Sequence, residues 1–340
     1  MKRLWPILLL FIGCQSRSSI IESGVSWELA QQRKASISDV RYKLSFDIPK
    51  DKDDFIKAEG SINFNLSDLT NDVVLDFRQP ADHIYSISVE GKPVSYKLVN
   101  QHIIIEASYF SKGDNTIFIS FRAGDMSLNR NEEFLYTLFV PDRASTAMPC
   151  FDQPNLKAKY SLTLSMPTDW TAIANGPLKS EEVINDKRVI VFGETRPVST
   201  YIFAFTAGKF QHVTQERDGR KMTMLHRETD LEKVERNKDE IFDLHSRAIS
   251  WMEKYTGIDY PFQKFDFALI PGFQYGGMEH PGAIFYRDAS LFLELSATKN
   301  QYLSRAGLIS HETAHMWFGD LVTMNWFDDV WTKEVFASFM

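Results

Sequence analysis

His311-Glu312-Thr313-Ala314-His315 decides how this chain is read. Residues four apart share one face of a helix, so both imidazoles can reach a single ion. Neutral imidazole is a good zinc ligand, and a catalytic zinc site uses three protein ligands plus water. Glu312 lies next to the first imidazole and is placed to act on that water as a general base. Nineteen positions after His315, on a second expected helix, stands Glu334. Its carboxylate completes a His, His, Glu set, so the sequence predicts one Zn2+ per chain. Taken alone, the motif competes with a chance match on a surface helix, and the placement of Glu334 decides against that. Trp317, Phe318, Trp326, Phe327 and Trp331 between the ligands read as core packing of two helices. Asp320, Asp328 and Asp329 are candidates to orient the ligating imidazoles. Acidic residues are also common near helix starts, so that spacing has a second explanation.

Working outward, Ser296 to Phe318 is expected to be one long helix capped by Ser296 and ended by Gly319. A second helix starts near Asp328 and runs to Met340. Ile241, Leu244, Ala248, Trp251, Met252 and Tyr255 fall at helical spacing, with Gly257 as the stop. Phe265 to Ile270 reads as a strand, and Asp218-Gly219 as a hairpin turn. Upstream the period changes. Val40, Tyr42, Leu44, Phe46 and Ile48 alternate with polar residues, as in a half-buried strand. Ile62, Phe64 and Leu66 repeat this, as do Tyr160, Leu162, Leu164 and Met166. Glu90-Gly91 turns a hairpin between Tyr85–Val89 and Val94–Leu98, and Ile202–Ala207 reads as a strand covered on both faces. Many short strands separated by turns predict an all-β saddle or sandwich of antiparallel sheet. The fold class is therefore α+β and multidomain: a β domain over 36–211, then an α-rich domain over 212–340.

The 340 residues carry a net charge of -7, which argues against nucleic acid as a partner, since phosphate binding needs a basic footprint. Lys2 and Arg3 precede a short apolar run, Leu4 to Ile12, too short to span a bilayer. The run ends at Gly13-Cys14, followed by polar residues. Residues 1–13 are expected to be a signal peptide. The layout resembles a bacterial lipoprotein signal, with Cys14 lipidated and 14–35 a linker to an anchor. The competing reading is an ordinary cleaved signal with an incidental Cys. Either predicts export, and the first predicts a membrane-anchored lipoprotein facing the periplasm or the cell surface. Only two Cys exist. If Cys14 is acylated, Cys150 has no disulfide partner and reads as a small buried hydrophobe.

Gly276-Gly277-Met278-Glu279-His280 brings a family into view. The pentapeptide resembles the Gly-x-Met-Glu-Asn exopeptidase motif of the aminopeptidase N family of gluzincins. His311, His315 and Glu334 match that family's zinc ligands, and Glu312 matches its catalytic glutamate. The run 311–326, together with Pro149-Cys-Phe-Asp-Gln-Pro154 and Ser199-Thr-Tyr-Ile-Phe-Ala-Phe205, is similar to further family signatures. The resemblance covers roughly Asp39 to Met340. It implies a thermolysin-like catalytic domain, here incomplete, and removal of the N-terminal residue from peptides. It also implies that Glu279 pairs with the free α-ammonium of the substrate, with Gly276, Gly277 and Met278 at the substrate's backbone. A charge-assisted pair of that kind is strong, and leaving the carboxylate unpaired is costly. Three departures bear on affinity and specificity: His280 in place of Asn, Lys333 and Val335 in place of Asn and Gly around Glu334, and Leu138 in place of a Gln. The family's transition-state tyrosine and closing helical domain would lie beyond Met340, so the 340 residues are expected to be the N-terminal portion of such an enzyme. The alternative function is a non-catalytic, lipid-anchored zinc- and peptide-binding protein. An endopeptidase of thermolysin type and the family's epoxide-hydrolysing branch are further alternatives. Side-chain preference and oligomeric state are not legible.

Overall fold

A computed structural model describes residues 21–340. The expected signal peptide and Cys14 lie outside the described residues. An eight-stranded sheet forms the floor of the N-terminal region. In spatial order its principal strands are Leu178–Ile184, Lys187–Phe192, Lys159–Pro167, Ile37–Asp47, Lys57–Leu66, Gly113–Arg122 and Ile84–Val89. The period-two segments named above are all present, with their apolar members inside: Tyr42, Leu44, Phe46, Ile62, Phe64, Leu162 and Leu164 are buried. Neighbouring strands are mostly antiparallel, but Ile37–Asp47 pairs in parallel with Lys159–Pro167, in the register Tyr42↔Tyr160 and Leu44↔Leu162. The purely antiparallel expectation is corrected there. The Glu90-Gly91 hairpin forms, but its return arm is only Lys92–Pro93. Tyr96–Val99 instead joins a three-stranded sheet with His102–Ile105 and Val73–Asp76. The run from Ile202 is also shorter as a strand, Phe205–Gly208, preceded by a single helical turn.

The stretch expected as a linker is corrected from Trp27 onward. Helix α1, Trp27–Ser36, is capped by Ser26 and lies on the β region. What holds it is a buried charge. Arg33 Nη1 and Nη2 donate to Asp76 Oδ2 and Oδ1 at 2.8 and 2.6 Å, and its Nε donates to the Val74 carbonyl at 3.1 Å. Asp76 also accepts from the Asp152 amide at 2.7 Å and contacts His102 Nδ1 at 2.7 Å. Burial pushes the Asp76 carboxyl up, but the Arg33 guanidinium and His102 outweigh it and hold the group below its ordinary value. Cys150 is buried, as expected, and has no disulfide partner among the described residues.

The C-terminal region is mixed rather than simply α-rich. Its five-stranded sheet runs Gln211–Arg217, Arg220–His226, Phe267–Ile270, Ile284–Arg287 and Gly277–Met278. The Asp218-Gly219 hairpin opens it. Helix α2, Leu231–Thr256, ends at Gly257 with φ +68°, the left-handed conformation for which glycine has no steric cost. A short turn α3, Asp288–Leu291, leads to helix α4, Lys299–Ala314. The cap of α4 is Thr298, not Ser296. Thr298 accepts from the Gln301 amide, and the Gln301 side chain reaches back to the Thr298 amide, a capping box that Ser296 cannot make. Helix α5, Val330–Phe339, follows. The two regions share apolar packing: Ile270, Phe273, Met278 and Phe285 belong to the same core as the N-terminal strands.

Two predictions follow from buried titratable groups. Asp76→Ala leaves Arg33 buried without its partner and should cost roughly 3–5 kcal/mol in denaturant unfolding. An unchanged midpoint would show that the pair does not hold α1. His245 is fully buried against Phe267, and burial pushes its imidazole down to about 4. Protons then bind the unfolded chain first, so stability is present above pH 6.5 and is lost as pH falls toward 4, by about 3 kcal/mol. His245→Gln should flatten that part of the stability–pH curve.

Candidate metal and amine site

His311 sits in the last turn of α4, and His315 immediately follows that helix with αR backbone angles. The i, i+4 spacing does what the sequence predicts, bringing His311 Nε2 and His315 Nε2 to 3.0 Å. From α5, Glu334 Oε2 lies 3.4 Å from the first and 3.6 Å from the second. Three donors held about 2.0–2.1 Å from one tetrahedral ion stand about 3.3 Å apart. The triangle therefore fits zinc in size as well as in donor type. His315 Nδ1 lies 3.0 Å from the Phe318 carbonyl, a contact that places the proton on Nδ1 and leaves the Nε2 lone pair free for a metal. His311 Nδ1 is 3.4 Å from Ser338 Oγ.

The aspartates proposed to orient the imidazoles do not do so. Asp328 and Asp329 lie in the helical turn that starts α5, and no side-chain cap bond is made there. Asp320 is fully buried, yet neither carboxylate oxygen has a hydrogen-bond partner among the described residues. Burial and the charge of Glu279 push its carboxyl well above the ordinary range.

Glu312 faces the edge of the five-stranded sheet. It is 4% exposed, and burial, reinforced by the charge of Glu279, pushes its carboxyl up to about 8. The edge strand Gly277–Met278 pairs with Ile284–Arg287 in the register Gly277↔Tyr286 and Met278↔Phe285. A Cβ at Gly277 would come within 2.6 Å of Glu312 Cγ and closer still to its carboxylate. Any side chain there would displace the carboxylate of the proposed base. Gly276 is half-buried over Leu308 of α4, where a Cβ would meet Leu308 Cδ1 at 3.2 Å. The side chain of Met278 is buried in the shared core, so this residue reaches the site through its backbone.

Glu279 is 3% exposed and is already paired, to Lys333 Nζ from α5. Burial pushes the carboxyl up, but the Lys333 ammonium and His315 overcome this and hold it at about 2. Lys333 also lies 3.1 Å from Glu334 Oε1 and 5.4 Å over the Tyr201 ring. Burial opposes its charge, yet the neighbouring carboxylates raise its affinity for a proton. His315 is likewise drawn up to about 9: burial disfavours the cation, and Glu279 and Glu334 favour it more. Hydrogen bonds from His311 and His315 hold Glu334 well below the ordinary carboxylate range. His280 is buried edge-on to Phe285 with neither ring nitrogen hydrogen-bonded among the described residues, and burial lowers it to about 3. Leu138 is buried in the N-terminal core.

Sequence reasoning missed Ser338 and the partnership of Lys333 with Glu279. Ser338 was within reach, since it lies four residues after Glu334 on the same helix face. No spacing rule connects residues 279 and 333.

Comparison with known proteins adds the family. Residues 38–202 match the Peptidase M1 N-terminal domain, and residues 240–340 match the Peptidase family M1 domain. The chain is 32% identical over 279 residues to "Probable aminopeptidase 2" of Sulfurisphaera tokodaii, covering 79% of this chain and 35% of that protein. It is 36% identical over 217 residues to the puromycin-sensitive aminopeptidase of Caenorhabditis elegans, covering 62% and 22% respectively. With the aminopeptidase N of Streptomyces lividans it shares 36% identity over 214 residues, covering 62% and 24%. The alignments thus take in between 22% and 35% of the length of these three relatives. With both domains matched in order along one polypeptide, the chain belongs to peptidase family M1, of which it carries the N-terminal domain and part of the catalytic domain.

Proposed function

We propose that this chain supplies the metal-binding and amine-anchoring portion of a zinc aminopeptidase, which removes N-terminal residues from peptides. The observation that carries this is the donor triangle of His311, His315 and Glu334 beside the buried Glu312. His311, His315 and Glu334 would hold one zinc. Bound there, zinc would polarise the scissile carbonyl and lower the pKa of an attacking water. Glu312 would take the proton from that water. Its high proton affinity without a metal suits a group that must hold the proton and return it to the leaving amine, and a nearby dication favours its ionised form before attack. Glu279 would bind the substrate's α-ammonium and so select free N-termini. The edge strand at Gly276 and Gly277 would pair with the substrate backbone, since an open sheet edge offers unpaired amide and carbonyl groups.

We also propose export and lipidation at Cys14, on the strength of the charged, apolar and Gly-Cys layout of residues 1–14. A radiolabelled fatty acid should enter the protein in a bacterial host, and Cys14→Ser should abolish this. Label retained by the variant would sink the anchor.

Three measurements test the site. His315→Ala or Glu334→Ala should lower zinc affinity by at least about tenfold, read by competition with a chelating dye; unchanged affinity would place the metal elsewhere. In the full-length protein, Glu312→Gln should keep its zinc and lose roughly 10²–10⁴-fold in kcat, and equal loss of zinc would make Glu312 a structural residue instead. Gly277→Ala should lower kcat by displacing Glu312 while leaving zinc content unchanged; full activity would show that the strand yields to a methyl group.

A further inference from the structure

The carboxylate assigned to the substrate's amine is already occupied. Glu279 and Lys333 form an ion pair whose side chains are each 4% exposed. The surroundings of the Lys333 ammonium are those a substrate ammonium would need: Glu279 on one side, Glu334 Oε1 at 3.1 Å on another, and the face of Tyr201 5.4 Å away. Lys333 and an α-amine are thus chemically equivalent ligands for one seat. Two ammonium groups on one buried carboxylate would repel at close range in a medium that screens little. A substrate amine can take Glu279 only if Lys333 has another place to go.

That place is present. Asp320 is fully buried, and both carboxylate oxygens lack a partner among the described residues. Its main-chain carbonyl accepts from Lys157 Nζ at 2.7 Å, which leaves the side chain open. The aliphatic stem of Lys333 passes the neighbouring residue. Lys333 Cδ lies 3.4 Å from the position a Cβ would take at Gly319, whose φ of +138° favours glycine. The stem therefore passes Gly319, the residue before Asp320, and the Lys333 ammonium is near enough for its charge to act on the Asp320 carboxyl. In the exchange the incoming ammonium replaces that of Lys333 beside Glu279 and Glu334 Oε1, and Asp320 gains an ammonium.

Resting on the proposed role of Glu279, we propose that Lys333 is an internal amine competing for the anchoring carboxylate, and that a substrate amine enters by displacing it toward Asp320. Lys333 is then a specificity-determining residue that weakens the hold on simple amines. Substrates must bring further contacts to displace it.

The test is calorimetric titration of the zinc-loaded chain with L-leucinamide, with N-acetyl-leucinamide as the amine-free control. Lys333→Asn should bind leucinamide at least about tenfold more tightly than the unaltered chain, with no change for the acetylated control. Asp320→Asn, which keeps the shape of the side chain, should weaken leucinamide binding several-fold when Lys333 is present and have no effect in Lys333→Asn. Three results overturn the proposal. If Lys333→Asn binds no better while Glu279→Gln abolishes binding, Lys333 does not compete, and the anchoring role of Glu279 stands. If Asp320→Asn acts equally in both backgrounds, Asp320 is not the second seat. If Glu279→Gln leaves leucinamide affinity intact, Glu279 does not anchor the amine and the role beneath the proposal fails with it.

Discussion

Too many carboxylates share one dry face, and the arrangement of the cleft follows from how their charges are balanced. Glu279, Glu312 and Asp320 are buried, and Glu334 is half-exposed beside them. Each buried negative charge must be paired, protonated or matched by a metal. Glu279 is paired with Lys333, and Glu334 is set against two imidazoles. Glu312 and Asp320 have no such partner and are driven toward their neutral forms. The imidazoles are in turn hydrogen-bonded to each other, with their Nε2 atoms 3.0 Å apart. A dication in the triangle would take the place of that hydrogen bond and lend positive charge to the carboxylates. Electrostatics and donor spacing therefore argue for a metal independently.

The cleft also depends on residues that carry no chemistry. Glu334 is reached from His315 by a loop, and that loop is tied to the β region at several points. Lys157 donates to the carbonyls of Asp320 and Leu321 at 2.7 and 2.9 Å. Asn155 donates to Asn325 Oδ1 at 3.0 Å, and Trp27 of α1 meets Trp326 edge-on at 5.1 Å. The β region is part of the frame that sets the distance between the imidazoles at the end of α4 and the Glu334 carboxylate on α5. The buried Arg33–Asp76 pair that seats α1 thus contributes to that frame, though it lies outside the site.

What the sequence made legible was local or periodic. The i, i+4 imidazoles, the alternating strands, the Asp218-Gly219 turn and the Gly257 stop are each determined within a few residues, and each is present in the structure. What it hid was long-range. Nothing near Trp27 announces that Arg33 will be buried against Asp76, so a helix was read as a linker. Ser296 and Thr298 are both acceptable caps in isolation, and only the reciprocal reach of Gln301 separates them. The parallel pairing of Ile37–Asp47 with Lys159–Pro167 has no signature, because alternation fixes which face is buried but not which strand lies alongside. Lys333 was recognised as a departure, but its occupancy of Glu279, 54 residues away, needed the fold.

That parallel pairing has a kinetic consequence. Tyr42 and Tyr160, paired neighbours and stacked at 4.9 Å, cannot meet until the intervening chain has been laid out. Closing so long a loop costs entropy before any contact repays it, and high contact order slows folding. Until Lys159–Pro167 arrives, Ile37–Asp47 has an open edge beside Lys57–Leu66, with hydrogen-bonding groups available to any passing strand. A nascent chain that has made only the first of these pairings carries its central strand half-paired, and that edge closes only when Lys159–Pro167 has been added.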